Sequence, residues 1–228
     1  MEILGIEKVS MVDYQDKICA TVFTGGCNFR CPFCHNSGIV ENQYSVIPEN
    51  EIFDYLENRK KLLDGVVVSG GEPTLQRDLP IFIERVKNMG YLVKLDTNGT
   101  NHFVLERLLK DKLIDYAAID IKNDFEHYDL VAGVANPAVE NIKKSLTLLK
   151  QYGVPYELRT TLIGEFHNLE NIKQMAKELK GERLLYLQKF KVSDGVFNKN
   201  LTEVSKEEAE VFKDILSQTI EQVELRGY

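Results

Sequence analysis

Three cysteines crowded between positions 27 and 34 are the first feature of the sequence that could do chemistry. They lie in Gly25-Gly26-Cys27-Asn28-Phe29-Arg30-Cys31-Pro32-Phe33-Cys34-His35-Asn36, a CxxxCxxC run. Thiols so close in sequence suit one metal centre better than a disulfide framework, and they point to a reducing compartment. Iron–sulfur clusters are normally held by four cysteines, so a loop that supplies three leaves one iron open to another ligand. Two plainer readings stand beside this one. The first is a zinc site completed by His35, although adjacent Cys34 and His35 are an awkward pair for tetrahedral closure. The second is a set of unligated core cysteines. Cys19, alone among apolar neighbours, reads as a small core residue.

Further polar groups follow apolar runs in the same way. Val66-Val67-Val68-Ser69-Gly70-Gly71-Glu72-Pro73-Thr74 ends a β-branched stretch with two glycines and a carboxylate. Glycines permit close backbone approach to a ligand and Glu72 can pair with an ammonium, while the plainer reading is a Gly-Pro turn. Leu95-Asp96-Thr97-Asn98-Gly99 and Asp120-Ile121-Lys122 end the next two apolar runs, and Arg159 lies in Leu158-Arg159-Thr160-Thr161. Taken singly these are an Asn-Gly turn, a solvated Asp/Lys pair and an arginine that needs a partner if buried.

The elements that must position these groups follow from periodicity. Strands are expected at Lys17–Thr24, Gly65–Ser69, Tyr91–Asp96, Tyr116–Ile121, Tyr156–Leu162 and Leu184–Phe190, preceded by a short strand or hairpin in Glu2–Asp16. Between them run amphipathic helices. One carries Leu79, Phe82, Ile83, Val86 and Met89 and stops at Gly90; the others open at Asn101, Asn136-Pro137, Asn168 and the Ser205/Glu208 capping box. Such alternation means an α/β fold of right-handed crossovers, a partial (β/α)6 barrel with largely parallel strands, and puts the polar groups together at the strand C-termini. A chain of 228 residues is read as one domain, with an extension at 1–16, a barrel core at 17–190 and a C-terminal helical extension at 191–228.

With 28 Lys and Arg against 35 Asp and Glu, the formal charge of -7 gives no footprint for nucleic acid or an anionic membrane. Neither a signal peptide nor a membrane-length apolar run is visible, so a cytoplasmic location is expected.

Cys27, Cys31 and Cys34, with aromatic Phe33 before the last, resemble the signature of the radical S-adenosylmethionine (SAM) superfamily. The resemblance implies one 4Fe-4S cluster on the three cysteines, with SAM chelated at the open iron and reductively cleaved to methionine and a 5'-deoxyadenosyl radical. Gly70-Gly71-Glu72 resembles the motif that holds the SAM amino group. His35-Asn36, Glu72 to Gln76, Asp96-Thr97-Asn98-Gly99 and Asp120-Ile121-Lys122 resemble more narrowly the glycyl radical enzyme activases. That narrower resemblance implies a monovalent cation on Asp96 and Asp120, and SAM contacts from Phe33, His35, Asn98, Asp120, Lys122 and Arg159. A histidine common in the family on the sixth strand is replaced here by Gln188, so the adenosine contact falls to a glutamine.

The implied partner is a glycyl radical enzyme, anaerobic ribonucleoside-triphosphate reductase being the expected one, with a flavodoxin or ferredoxin-type electron donor. The alternatives are a small-molecule radical SAM enzyme of the deazapurine synthase kind and a non-catalytic metal-binding interaction module.

Overall fold

A computed structural model describes residues 1–228. The chain opens with β1 (Ile3–Ser10) and β2 (Cys19–Thr24), then short α1 (Ser37–Val40) and α2 (Glu49–Glu57). Next come β3 (Gly65–Gly70), α3 (Leu79–Asn88), β4 (Leu92–Thr97), α4 (His102–Lys110) and β5 (Tyr116–Asp120). After α5 (Tyr128–Ala132) and α6 (Val139–Tyr152) the chain continues through β6 (Tyr156–Leu162), α7 (Leu169–Glu178), β7 (Leu184–Lys189), α8 (Lys206–Leu216) and β8 (Gln222–Arg226). The strands form one sheet in chain order. β1 runs antiparallel to β2, whereas β2–β3, β3–β4, β6–β7 and β7–β8 pair in parallel, the largely parallel α/β architecture that the alternation demands.

All six expected barrel strands form within two residues of their expected bounds. Apolar runs such as Val66-Val67-Val68 are buried throughout, as in a strand covered on both faces. α3 buries Leu79, Phe82, Ile83 and Val86 and ends before Gly90, whose φ of +93° is the left-handed conformation of a helix terminator. Asn101 caps α4, Asn168 caps α7 in a capping box with Asn171, and Ser205 caps α8 in a capping box with Glu208.

Two expectations need correction. Asn136-Pro137 does not open α6: Ala138 adopts φ +54°, so the pair makes a turn on the Asn136 side chain and the helix starts at Val139. The C-terminal segment is not only helical, since β8 follows α8 and pairs with β7 from Leu184↔Gln222 to Gln188↔Arg226. Its sequence, Gln-Val-Glu-Leu-Arg, alternates polar and apolar residues as a strand with one covered face does, and has no apolar run to betray it.

Two compact units emerge from the contacts. One comprises Met1–Asn28, Gly38–Ala118 and Glu140–Pro155; the other comprises Phe29–Ser37, Ile119–Val139 and Tyr156–Tyr228. The first is packed around Val66, Val68, Phe82, Ile83, Val93 and Leu95, the second around Leu158, Leu162, Met175, Leu185, Leu187 and Phe190.

Candidate functional site

The loop after β2 is shaped by close backbone packing. Gly71 donates to Thr24 O at 2.9 Å and Glu72 donates to Gly26 O at 2.9 Å, so the turn after β3 lies directly on the turn after β2. A Cβ on Gly71 would come within 1.8 Å of Gly26 O, and one on Gly70 within 2.3 Å of Thr24 N. The glycine pair is therefore needed to bring two strand ends together, whatever it also does for a ligand. Gln76 completes the clamp: its Nε2 donates to Gly25 O at 2.9 Å and its Oε1 accepts from Glu2 N at 3.0 Å.

Glu72 is fully buried and its carboxylate faces inward. Oε1 accepts from Thr74 N at 3.0 Å, Thr74 Oγ1 at 2.6 Å and Thr97 Oγ1 at 2.7 Å, while Oε2 accepts from Asn98 N at 2.7 Å. Burial pushes this carboxyl above its ordinary range, against the pull of those donors. The side chain thus ties the turn after β3 to the turn after β4. Asn98 passes the tie on, since its Nδ2 donates to Asn28 Oδ1 at 2.8 Å and its Oδ1 accepts from Thr100 N and Oγ1 at 3.0 and 2.7 Å. Asn28 in turn donates to Thr100 Oγ1 at 2.9 Å. The residue after Cys27 is therefore fixed by a polar network reaching Glu72, and both ends of the Asn98 amide are committed to protein groups.

Asp96 lies beside Ser69, whose Oγ donates to Oδ2 at 3.3 Å, and its Oδ1 is 3.7 Å from the ammonium of Lys94. Lys94, only 2% exposed, also donates to Asp13 O at 2.6 Å and stands 5.5 Å from the centre of the Tyr116 ring.

In the second unit Cys31 is buried and Cys34 partly exposed, and Cys34 N donates to Cys31 O at 3.0 Å. Burial raises both thiols, Cys31 to about 11, a preference for the protonated form that a bound iron would reverse. Phe33 is buried between them with Lys122 Nζ 5.6 Å from its ring centre. Lys122 donates to Asp120 Oδ2 at 3.0 Å, and Arg159 Nε donates to Asp120 Oδ1 at 2.9 Å. Burial alone would raise the Asp120 carboxyl, but Arg159 and Lys122 outweigh it and bring it down to about 2. Burial would likewise discharge Lys122, and Asp120 more than reverses that, so the ammonium stays charged.

His35 stacks near Phe190, and its Nε2 is 2.7 Å from Lys191 O, so this nitrogen serves the loop after β7. Gln188 stands opposite Thr161 of β6 and Arg226 of β8, hence on one sheet face with Arg159 and Tyr186. That face also carries a group invisible in the sequence: the Arg226 guanidinium sits 3.7 Å from the Tyr186 ring centre and 3.8 Å from buried Glu157.

No disulfide joins Cys27, Cys31 or Cys34. A fourth ligand is not at hand in Cys19, which is buried in β2 with its thiol on Ser10 O, nor in the Lys191-bound nitrogen of His35. In number and type, three thiols from one CxxxCxxC loop match a four-iron cluster with one iron left open and fall one ligand short of a structural zinc site.

Comparison with known proteins agrees. The profile of the radical SAM superfamily matches residues 21–196. Two proteins of Methanocaldococcus jannaschii named for glycyl-radical enzyme activation are similar: one is 39% identical over 83% of this chain and 80% of its own length, the other 30% identical over 90% and 78%. Among solved structures, a radical SAM methyltransferase from Sphaerobacter thermophilus superposes with a TM-score of 0.72 at 18% identity, covering 93% of this chain and 67% of that one, which shows the shared fold.

Proposed function

This chain belongs to the radical SAM superfamily, and on that premise we propose that it is an activating enzyme that installs a glycyl radical in a partner enzyme. The observation that carries the reading is the 39% identity to a relative of that name across most of both chains. Cys27, Cys31 and Cys34 would hold the cluster through their thiolates. A bound 4Fe-4S cluster would supply the single electron for reductive cleavage of SAM, the chemistry needed to remove one hydrogen atom from a glycine Cα.

The chain's own residues bind and orient. The turn of Gly70, Gly71 and Glu72 lies against the cysteine loop and offers backbone polar groups to the SAM amino group. Lys122 and Arg159, each paired with Asp120, hold fixed positive charge that would suit the SAM carboxylate. Gln188, on the same sheet face as Arg159, would be the residue to take up the adenosine. A target glycine must come within contact distance of the radical carbon, so the partner has to offer it on a loop that reaches the site.

The expected partner is anaerobic ribonucleoside-triphosphate reductase and the expected electron donor a flavodoxin or ferredoxin. No helix is long and apolar enough to cross a membrane. Anaerobic reconstitution with iron and sulfide, then dithionite and SAM, tests the chemistry: 5'-deoxyadenosine and methionine in equal amounts support it. A cluster that forms but yields neither product favours a binding module, and 5'-deoxyadenosine that forms only with a purine-like small molecule favours the synthase reading.

A further inference from the structure

A buried lysine survives as a cation only where partners replace its water. Lys94 occupies such a place. It sits mid-strand in β4 between Val93 and Leu95, and its side chain is almost entirely out of solvent. Its ammonium donates to Asp13 O at 2.6 Å, stands 3.7 Å from Asp96 Oδ1 and lies 5.5 Å from the Tyr116 ring centre. The Asp13 turn is itself pinned, because Thr21 donates to Asp13 Oδ2 at 2.7 Å and Ser10 Oγ accepts from Asp13 N at 3.2 Å. A carbonyl, a carboxylate and an aromatic face thus converge on one nitrogen from three separate segments.

We propose that Lys94 is the resident cation of the Asp96 position, so that Asp96 is positioned by an ammonium of this chain and takes no alkali-metal ion. The residues do not suit an added ion. The carboxylate of Asp96 already faces one positive charge, and that of Asp120 faces two, from Lys122 at 3.0 Å and Arg159 at 2.9 Å. A further cation at either carboxylate would meet a like charge in a partly buried setting, where repulsion is poorly screened. Lys94 is a positioning residue. It holds the start of the Asp96-Thr97-Asn98 turn, whose Thr97 and Asn98 engage Glu72.

The inference rests on Asp96 belonging to the SAM site, but its test does not require SAM chemistry. Thermal unfolding of the reconstituted chain without SAM would be followed in potassium, sodium and tetramethylammonium chloride at equal ionic strength. The wild-type midpoint should be the same in all three, and a midpoint that climbs with potassium or sodium concentration, as mass action on a specific ion requires, overturns the proposal.

Lys94→Ala should be less stable and should recover selectively with ammonium or potassium; a folded variant as stable as wild type overturns the proposal too. Should Lys94→Ala fail to fold, the wild-type salt series still decides. With SAM present, affinity measured by calorimetry should change less than roughly twofold between the three salts, whereas about tenfold tighter binding in one alkali salt points to a metal ion at Asp96. A chain that bound no SAM in any salt would refute the proposed function and leave the salt series without SAM standing.

Discussion

Replacing Glu72 with glutamine separates two roles for this residue, a ligand of SAM and a strut of the protein. In the structure the carboxylate receives three hydrogen bonds at Oε1 and one at Oε2. A glutamine whose oxygen takes the Oε1 place keeps the first three, but its NH2 then meets the N–H of Asn98 across a gap that is now 2.7 Å. The opposite amide orientation is worse, since it sets the NH2 against the Thr74 N–H and both threonine hydroxyls.

The better orientation loses one hydrogen bond to a charged acceptor, worth about 1.5–3 kcal/mol, and leaves a buried donor unsatisfied at about 1–3 kcal/mol. Part of this is offset because a neutral amide is easier to bury than a carboxylate. The expected net destabilisation is about 2–4 kcal/mol. Urea unfolding of the chain without SAM measures it directly. If Glu72→Gln unfolds within about 0.5 kcal/mol of wild type while SAM affinity falls about tenfold, the carboxylate serves SAM and the strut argument is wrong.

Other outcomes follow from the same geometry. Single replacement of Cys27, Cys31 or Cys34 by alanine should abolish retention of a 4Fe-4S cluster on anaerobic reconstitution, while Cys19→Ser should keep the full iron content with some loss of stability, read by iron and sulfide analysis. Gly71→Ala should cost more than about 3 kcal/mol or prevent folding, because its Cβ would collide with Gly26 O at 1.8 Å; circular dichroism on heating reads the loss.

Asn28→Ala removes two hydrogen bonds at 2.8 and 2.9 Å and should cost about 1–3 kcal/mol in urea unfolding, with faster loss of iron to a chelator. Asp120 titrates near 2 when folded and 3.8 when unfolded, so its contribution to stability is complete above the unfolded value and is lost as pH falls through the folded one. Asp120→Asn should therefore flatten the acid limb of the stability curve between about pH 4 and pH 2, measured by urea midpoints across that range.

The parts of this fold that could be read in the sequence are those written in consecutive residues. Val66-Val67-Val68 before Gly70, or Tyr116-Ala117-Ala118-Ile119 before Asp120, announces a buried strand and the polar group at its C-terminal end. What binds those groups together is not local. Asn28 meets Asn98 across 70 positions and Glu72 meets Thr97 across 25, and no periodicity encodes either contact.

Lys94 was hidden for another reason. A lysine between Val93 and Leu95 has the pattern of a strand with a wet face, and the pinned Asp13 turn and the Tyr116 ring, both distant in sequence, help to keep that face dry. For Glu72 the residue type was informative and its direction was not: a carboxylate after two glycines suggests an outward ligand, and the threonines that turn it inward look like ordinary turn residues.

Deuterium transfer tests the central claim most directly. Anaerobic ribonucleoside-triphosphate reductase labelled with α-deuterated glycine would be incubated with the reconstituted chain, SAM and dithionite, and the 5'-deoxyadenosine analysed by mass spectrometry. Deuterium in the 5'-methyl group together with a glycyl radical signal on the reductase is the predicted result. Unlabelled 5'-deoxyadenosine formed at the same rate with or without a glycyl radical enzyme would contradict it.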